Sequence, residues 1–467
     1  MNAELPDLSA VETSQRIKAR DISPTELMRA VLDRVDQLNP GLNAFITVDG
    51  KEALRRAGEM EKTLMRGEAK GILFGLPVSV KDNVFTKGLR TTNGSAGQRD
   101  FVPREDDRAV ARIRSEGGII FGKTNMPEFG CGAHGVNQTF GPSRNPWNPA
   151  RSAGGSSGGA ATAVAVGMGR LALGTDAGGS ARIPAAFCGI YGFKPQQNRI
   201  LDGPGLRPFR DLGHTCPMTF SVADNALFLD AVADHDPTAI QGPSTPPSFL
   251  ASLRPEVKGL RVGFSADLGW APVRPEIADA CRNAVALLEE MGAIVEEASV
   301  DFSGCEKIFL TIARAEWHNR FGELVAEHPD QVSPGFAEIV RMGASISTPD
   351  YLKALQRRKE MHADMRRAFE KFDLLACPTV SVTAMEADAK EPEEVREGLP
   401  GWKQGWTLHS LPFSLVSLPA AGVPCGFDAQ GLPMGLQLVG RPDKDQVVLN
   451  ASAALEQAAP WPRPDMT

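Results

Sequence analysis

The sequence has few of the residues that build metal centres and disulfide frameworks. Its 467 residues include seven histidines and seven cysteines, which form no HxH, HExxH or CxxC motif. The patterns typical of zinc enzymes and dithiol oxidoreductases are therefore missing. The cysteines are scattered over positions 131, 188, 216, 281, 305, 377 and 425. Because an odd, widely spaced set is typical of free thiols in a reducing compartment, we expect a cytoplasmic protein. Because the metal-binding motifs are missing, we also expect that it needs no metal ion or other cofactor.

Long apolar runs and an excess of basic charge are absent as well. The longest apolar stretch, Ala160 to Leu173, is rich in alanine and glycine and carries Arg170, so it is too short and too small-sided to span a membrane. The first residues are acidic and interrupted by Pro6, unlike a secretory signal peptide. The formal net charge is -7, and lysines and arginines are spread along the chain. We therefore expect neither a membrane nor a nucleic acid as a partner.

The residues that are present favour an α/β fold. Hydrophobic residues make up 42% and charged residues 23% of the chain, which is ordinary for a globular protein with a sizeable core. Segments typical of strands alternate with segments typical of helices, and this order predicts α/β layers. Helices are predicted in a segment that opens with a capping box at Ser23–Glu26, and at 108–116, 160–169, 278–291 and 351–372. Strands are predicted at 119–121, 260–264, 293–297 and 374–378, a surface connection at 236–255, and a solvated acidic stretch at 386–397.

Two glycine-serine segments and one lysine carry the chemistry. Gly154–Gly159 reads GGSSGG and Gly174–Arg182 reads GTDAGGSAR, so that Ser180 follows Ser156 by 24 residues. Upstream, Lys81 follows the apolar run LPVSV. A serine hydroxyl is a poor nucleophile until a base takes its proton, and a lysine can be that base only when burial keeps it neutral. These parts indicate a serine nucleophile activated without histidine, and hence hydrolysis of an acyl bond.

Each of these features has a structural alternative. Lys81 can instead be a lysine at the end of a strand that pairs with Asp82, and the glycines around Ser156 can instead form a flexible linker. A helix of small residues begins directly after Ser156, which favours a fixed turn over a linker. In that case glycine supplies the backbone geometry that directs the hydroxyl inward.

The second turn has the composition of an oxyanion hole. Small residues leave backbone amides free to converge on a developing negative charge. The amides expected to do so belong to Ala177, Gly178, Gly179 and Ser180. Asp176 and Arg182 flank the turn, and we expect them to pair across it and hold it.

The lysine segment, the GGSSGG turn and the GTDAGGSARIPA turn resemble those of the amidase signature family. Three further segments resemble that family, namely 122–129 (GKTNMPEF), 189–195 (GIYGFKP) and 432–440 (LPMGLQLVG). The resemblance implies that Ser180 is the nucleophile, that Lys81 is the base, and that Ser156 bridges them after a cis peptide bond. Gly155 and Ser157 are expected to support this arrangement.

The resemblance also implies the fold. It is that of one domain over 1–467, in which a large mixed sheet lies between helical layers. The motifs are densest over about 70–220, the region of about 240–350 is variable, and about 370–467 supplies a C-terminal sheet and helix portion.

Two rival motifs are set aside on context. Residues 117–124 (GGIIFGKT) match the phosphate-binding P-loop pattern. A P-loop follows a strand and opens a helix, whereas this segment follows a predicted helix and contains a predicted strand. Cys188 lies beside a glycine and could be a nucleophile, but buried free cysteines are usually small core residues.

The family includes amidases for aliphatic, aromatic and fatty amides, and the A subunit of glutamyl-tRNA amidotransferase. That subunit binds the glutamine carboxylate with an arginine in its long helix, where Arg358 lies here. It binds the α-amine with an acid, in whose place this chain has Thr407, and its usual asparagine and second glycine are replaced by Ser414 and Ser417. These differences favour a stand-alone amidase for a less polar small-molecule amide.

The neighbouring aromatic residues have two interpretations. Trp402, Trp406 and Phe413 can form an apolar wall of the substrate site beside Thr407 and Arg358, or they can pack in the core. A non-catalytic paralogue that binds amides is a third functional alternative, and a homodimer is left open as the assembly.

Overall fold

An eleven-stranded sheet runs through the part of the chain that the computed structural model describes, residues 5–201, 203–205, 212–233, 248–388 and 405–466. In chain order its strands are β1 (Phe45–Val48), β2 (Pro77–Lys81), β3 (Ile119–Thr124), β4 (Leu171–Asp176), β5 (Tyr191–Lys194), β6 (His214–Thr219), β7 (Arg261–Phe264), β8 (Ile294–Glu297), β9 (Leu374–Pro378), β10 (Ala420–Phe427) and β11 (Pro433–Gly440). Their order across the sheet is β1-β3-β2-β4-β6-β5-β10-β11-β9-β7-β8.

The sheet is mixed. Strand β2 is parallel to both of its neighbours, β3 and β4, whereas β10 is antiparallel to β5 and to β11. Together with the helices described next, this confirms the predicted α/β class and the mixed sheet that the resemblance implies. The division of the chain into a motif-dense, a variable and a C-terminal region remains a prediction.

Thirteen α-helices accompany the sheet within the described residues. In chain order they are α1 (Ala10–Lys18), α2 (Pro24–Leu42), α3 (Gly50–Met65), α4 (Arg108–Ser115), α5 (Gly158–Ala165), α6 (Arg182–Cys188), α7 (Val222–Val232), α8 (Pro275–Glu290), α9 (Cys305–Glu327), α10 (Pro334–Gly343), α11 (Thr348–Lys371), α12 (Leu411–Leu415) and α13 (Asp445–Ala458). None of these described helices is both long and apolar enough to cross a membrane.

The sheet separates two hydrophobic cores. Along β9, Leu374 and Ala376 pack into one core with α7, α8 and α13, while Leu375 and Cys377 pack into the other with α9, α10, α11 and α12. This split follows from the strand geometry, because successive side chains point to opposite faces of a sheet. The sheet therefore lies between helical layers, as expected.

Local signals explain where several helices begin and end. The Ser23 hydroxyl accepts a hydrogen bond from the Glu26 amide at 3.0 Å, which caps α2 as predicted. Helix α11 begins three residues earlier than predicted, because the Ser347 hydroxyl accepts from the Asp350 amide and caps it there. Helix α5 is shorter than predicted and ends before Gly167, whose positive φ stops the helix.

Three predictions fall wholly or partly outside the described residues. Most of the connection expected at 236–255 lies there, as does most of the acidic stretch expected at 386–397. Trp402 also lies outside the described residues.

Candidate active site

Lys81 is the last residue of β2, at the centre of the parallel part of the sheet. Because β2 and β4 are parallel, Lys81 and Asp176 come to the same edge of the sheet at the ends of their strands. The carboxyl edge of parallel strands is where α/β proteins usually form their sites. The Lys81 side chain is fully buried, with 0% of its surface exposed.

Three hydroxyls surround the Lys81 amino group. Its Nζ atom lies 2.7 Å from Ser156 Oγ, 2.9 Å from Ser157 Oγ and 2.8 Å from Thr175 Oγ1. The Ser157 hydroxyl donates its own proton to the Thr175 carbonyl at 3.0 Å, so it accepts from Lys81. A neutral lysine has a lone pair in place of one N–H donor. When Lys81 is neutral, that lone pair can accept a proton from Ser156 or from Thr175.

The alternative in which Lys81 pairs with Asp82 is not observed. The Asp82 carboxylate instead accepts hydrogen bonds from the amides of Thr92 and Gly94, at 3.0 and 3.2 Å. Within the described part of the chain, no carboxylate makes a hydrogen bond to the Lys81 amino group. Burial lowers the pKa of Lys81 from its ordinary value of 10.5 to about 7, and neighbouring acidic groups oppose this only in part. A neutral amine is therefore accessible near neutral pH.

The first glycine-serine turn leads into α5. The peptide bond between Gly155 and Ser156 is cis, as the resemblance implies, and Ser157 is the residue that precedes α5. The Ser157 amide donates to the Ser180 carbonyl at 3.0 Å. This bond joins the backbones of the two turns directly, although they are well separated in the chain.

The second turn is held from within by Asp176. Its carboxylate accepts from the Gly179 amide at 2.7 Å and from the Ala181 amide at 3.1 Å, and it forms a bidentate pair with Arg182 at 2.9 and 3.0 Å. The expected pair is thus present, and both side chains are fully buried. Burial alone would raise the pKa of Asp176, but Arg182 outweighs it and holds this pKa below its ordinary value.

These contacts correct one part of the expected oxyanion hole. The Gly179 amide is engaged by the Asp176 carboxylate, so it is not free to bind an oxyanion and the prediction is wrong for this residue. The amides of Ala177, Gly178 and Ser180 have no acceptor among the described residues. They remain the candidate donors.

Arg182 connects this turn to two distant segments. Its guanidinium donates to the Ser410 carbonyl at 3.2 Å, to Ser414 Oγ at 2.7 Å and to Gln437 Oε1 at 2.5 Å. The Ser410 hydroxyl in turn donates to the Gly178 carbonyl at 2.6 Å. The α12 region and β11 therefore support the turn from one side.

Sequence reasoning missed several of these supporting residues. Ser410 lies 228 and Gln437 lies 255 residues from Arg182 in the chain, so no local pattern points to them. Thr175 is different, because it lies within the GTDAGGSAR segment and directly precedes Asp176. Its closeness in sequence to the second turn is the one signal that could have identified it as a candidate site residue.

The expected substrate-binding residues are placed differently from one another. Phe413 has 0% exposure and packs edge-on against Phe302, with ring centroids 6.1 Å apart. Trp406 is also buried and stacks on Phe187. Both pack among core residues, as the second of the two interpretations expects, and a role for either of them as a substrate contact stays a prediction.

The other two expected contacts, Thr407 and Arg358, stay untested as substrate contacts. Thr407 is buried at the start of the segment that carries Ser410. Arg358 is half-buried on α11, and its Nε donates to the Leu415 carbonyl at 2.6 Å.

The structure also places the rival motifs. The P-loop-like segment runs from the end of α4 into β3, the reverse of the order that phosphate binding requires. Its Lys123 is fully buried and donates to the Val84 carbonyl and to Thr86 Oγ1.

Burial raises the pKa of the Cys188 thiol to about 12, which makes it a poor nucleophile. Among the described residues, no group of three or more acidic, histidine or cysteine side chains is arranged to hold a metal ion.

Comparisons with known proteins identify relatives over nearly the whole chain. A family model described as Amidase matches residues 26–449. The A subunit of the glutamyl-tRNA(Gln) amidotransferase of Moorella thermoacetica is 37% identical over an alignment of 486 residues that covers 98% of each chain. An acylamidase of Rhodococcus erythropolis is 35% identical over 475 residues, covering 97% of this chain and 96% of the relative. The crystal structure of a bacterial aryl acylamidase of the amidase signature family matches with a TM-score of 0.90 and 29% identity, covering 97% of this chain and 96% of the other.

The chain belongs to the amidase signature family, whose enzymes act on carbon–nitrogen bonds. Its relatives include both acylamidases and one component of an amidotransferase. Membership of the family therefore does not by itself choose between hydrolysis and amide transfer.

Proposed function

We propose that this protein is a stand-alone amidase that hydrolyses an uncharged carboxylic amide through an acyl-enzyme on Ser180. The observation that supports this proposal most directly is the environment of Lys81. The amine is fully buried, its pKa is lowered to about 7, and it lies 2.7 Å from the Ser156 hydroxyl. A neutral amine linked to a serine hydroxyl is what a proton relay needs.

In the first half-reaction, Ser180 Oγ attacks the carbonyl carbon and forms a new C–O bond. The Ser180 proton passes to Ser156 Oγ while the Ser156 proton passes to Lys81 Nζ, which becomes an ammonium. The carbonyl electron pair moves onto the oxygen, and the free amides of Ala177 and Gly178 donate to this oxyanion. The Ser180 hydroxyl has no hydrogen bond among the described residues, so its link to Ser156 comes from the resemblance.

The second half of the cycle returns the proton. Collapse of the adduct breaks the C–N bond, and the Lys81 proton passes back through Ser156 to the departing nitrogen. A water molecule then attacks the acyl-enzyme ester and loses its proton along the same route. Breaking the ester C–O bond releases the carboxylic acid and restores the Ser180 hydroxyl.

The second candidate is the A subunit of a glutamyl-tRNA amidotransferase. The 37% identity to such a protein favours it. Against it, Thr407 stands where the resemblance implies an acid for the α-amine of glutamine, and Thr407 is buried. Ser414 stands where the resemblance implies an asparagine, and its hydroxyl accepts from Arg182. An unpaired ammonium in such a site loses its hydration without a compensating charge.

The experiment compares glutamine with pentanamide, a neutral amide of the same chain length, on the purified single chain. We expect kcat/KM to be higher for pentanamide than for glutamine by at least about tenfold. The reason is that desolvating the unpaired ammonium of glutamine costs free energy, and each 1.4 kcal/mol of that cost lowers kcat/KM about tenfold. Ammonia release by Ser180→Ala serves as the blank for both amides. Activity should need no ATP, tRNA or partner protein and should survive exhaustive chelation.

The alternatives predict different results. A higher kcat/KM for glutamine, or activity that appears only when a partner protein is added, would replace the proposal with the amidotransferase function. A chain that binds amides, hydrolyses none of them and reacts with no fluorophosphonate would be the non-catalytic paralogue.

A further inference from the structure

Two of the seven cysteines lie in contact far from the candidate active site. Cys281 on α8 is fully buried, Cys425 on β10 is half-buried, and their Sγ atoms lie 3.9 Å apart. All seven cysteines are in the described part of the chain, and no other pair of sulfurs there makes such a contact. Cys281 also donates to the Gly435 carbonyl at 3.8 Å.

Cys425 lies at an irregularity in the pairing of β10 with β11. The pairing of β10 with β11 shifts register between Pro424 and Gly426, so Cys425 is the extra residue of a β-bulge and has no partner on β11. A disulfide has an S–S bond of about 2.0 Å, so the two sulfurs must approach by about 2 Å. Side-chain rotation and the unpaired bulge residue can supply this approach.

Access to solvent differs between the two thiols. Cys425 is half-buried, and the two residues that follow it on β10, Gly426 and Phe427, are exposed. Burial raises the pKa of Cys281 well above its ordinary value. Cys425 is therefore the thiol that an oxidant meets first. Cys281 is in contact with it, but its raised pKa disfavours the thiolate, so we expect its attack on the oxidised Cys425 to be the slower of the two steps.

We propose that Cys281 and Cys425 form an oxidation site that takes two-electron oxidants of the hydroperoxide class and closes to a disulfide. Cys425 sulfur attacks a peroxide oxygen, the O–O bond breaks, and the products are a Cys425 sulfenic acid and water. Cys281 sulfur then attacks the sulfenic sulfur, the S–O bond breaks, and a second water leaves with the Cys281 proton. In sum, two thiols and one hydrogen peroxide give one disulfide and two waters.

The position of this site predicts its effect. Strand β10 begins at the sheet edge that carries the Ser180 turn, and Cys425 lies towards its other end, against the core that contains α8. The disulfide would close a loop of 144 residues that includes α9 to α12. Closing a loop restricts the unfolded chain more than the folded one. Oxidation should therefore raise the melting temperature and leave kcat unchanged.

The test treats the purified full-length chain with hydrogen peroxide and then alkylates the remaining thiols under denaturing conditions. Peptide mapping without reductant should show the peptides of Cys281 and Cys425 joined, with the loss of two hydrogen atoms, and dithiothreitol should separate them. The melting temperature should rise on oxidation and fall back on reduction. Cys425→Ser should abolish both the joined peptide and the shift.

Cys131→Ser is the matched control, because Cys131 is half-buried like Cys425 but has no sulfur neighbour among the described residues. It should form the joined peptide as the unsubstituted chain does. Oxidation of Cys425 to a sulfinic acid without a joined peptide would overturn the proposal, as would a disulfide that uses Cys131. Two thiols that both stay alkylatable after peroxide treatment would overturn it equally.

Discussion

Lys81 and Lys123 lie at the ends of adjacent parallel strands and are both fully buried, yet their surroundings differ. The strand register pairs Lys81 with Thr124, so the two lysines point to opposite faces of the sheet. Burial lowers the pKa of both amines, to about 7 for Lys81 and to about 8 for Lys123. Burial alone therefore does not distinguish a base from a structural lysine.

The partners of the two amines make the distinction. Lys123 donates to the Val84 carbonyl, which can only accept, and to Thr86, while the buried Asp82 draws it towards its charged form. Lys81 has only hydroxyls as hydrogen-bond partners within the described residues. A hydroxyl can both give and accept a proton, so protons can move to and from Lys81. A low pKa keeps a lysine neutral near neutral pH, and hydroxyl partners give the neutral amine a proton to accept.

The largest effect on kcat should come from substituting Ser180, the proposed nucleophile that Lys81 activates through Ser156. Ser180→Ala should lower kcat by at least about a thousandfold, because removing one member of a catalytic triad removes most of the acceleration. A fluorophosphonate should label Ser180, as read by peptide mapping. Ser221→Ala is the control, since Ser221 only caps α7 and should affect stability by about 1 kcal/mol rather than kcat. A label on Ser157, or on no serine, would refute the assignment.

Substituting each lysine by methionine tests the comparison directly. Lys81→Met should lower kcat by about a thousandfold, in the range typical of lost general-base catalysis. Lys123→Met should leave kcat nearly unchanged and lower the free energy of unfolding by about 1–3 kcal/mol, because the buried Val84 carbonyl loses one of its two donors and keeps only the Thr86 hydroxyl. Steady-state kinetics and urea unfolding measure the two effects. The comparison breaks down if the two variants show the reverse pattern.

Ser156→Ala sharpens the same test. Alone it should be milder than Lys81→Met but still severe, because Lys81 loses its relay. Combined with Lys81→Met it should add little, since residues that act as one unit give non-additive losses. Fully additive losses in kcat would show that Ser156 and Lys81 act separately.

The pH dependence should separate the two lysines again. Lys81 must be neutral to act, so kcat/KM should rise with pH through about 7 and stay high in mild alkali.

The lowered pKa of Lys81 also affects stability. It means that the unfolded chain binds more protons than the folded chain between about pH 7 and pH 10.5, the ordinary pKa of a lysine. Stability from this group is therefore gained as the pH rises through that window. Each methionine variant should lose part of this stability slope, whereas only Lys81→Met should lose the activity profile. An optimum near pH 5 would indicate a carboxylate base.

The smallest effect should come from one hydroxyl at each lysine. Thr175→Val removes a partner of Lys81 with little change in shape, and it should lower kcat/KM by about three- to tenfold, the value of one hydrogen bond of about 1 kcal/mol. Thr86→Val removes the matching partner of Lys123 and should leave kcat/KM unchanged. Parallel assays of both variants suffice. Equal losses would mean that Thr175 has no specific role at Lys81.

Elements with strong local signals could be predicted from the sequence. The predicted strand 374–378 is β9, and the predicted helix 108–116 is α4, which a glycine with positive φ follows at Gly117. No element is predicted from the sequence between 298 and 350, where α9 and α10 lie. The buried residues of helix α9 recur at helical spacing, as at Phe309, Ile312 and Ala313, so a local signal for this helix is present in the sequence.

Local sequence is sufficient to identify the residues that are able to do the chemistry. Glycines around Ser156 and Ser180 and the apolar run before Lys81 are local features, and local features determine backbone conformation and burial. Which of these groups come into contact depends on the tertiary structure. It alone puts hydroxyls around Lys81, and a carbonyl and one hydroxyl beside Lys123. It also engages the Gly179 amide with Asp176 and puts Phe413 in the core. The reason is that these contacts join segments brought together by strand order and packing, which no pattern of neighbouring residues encodes.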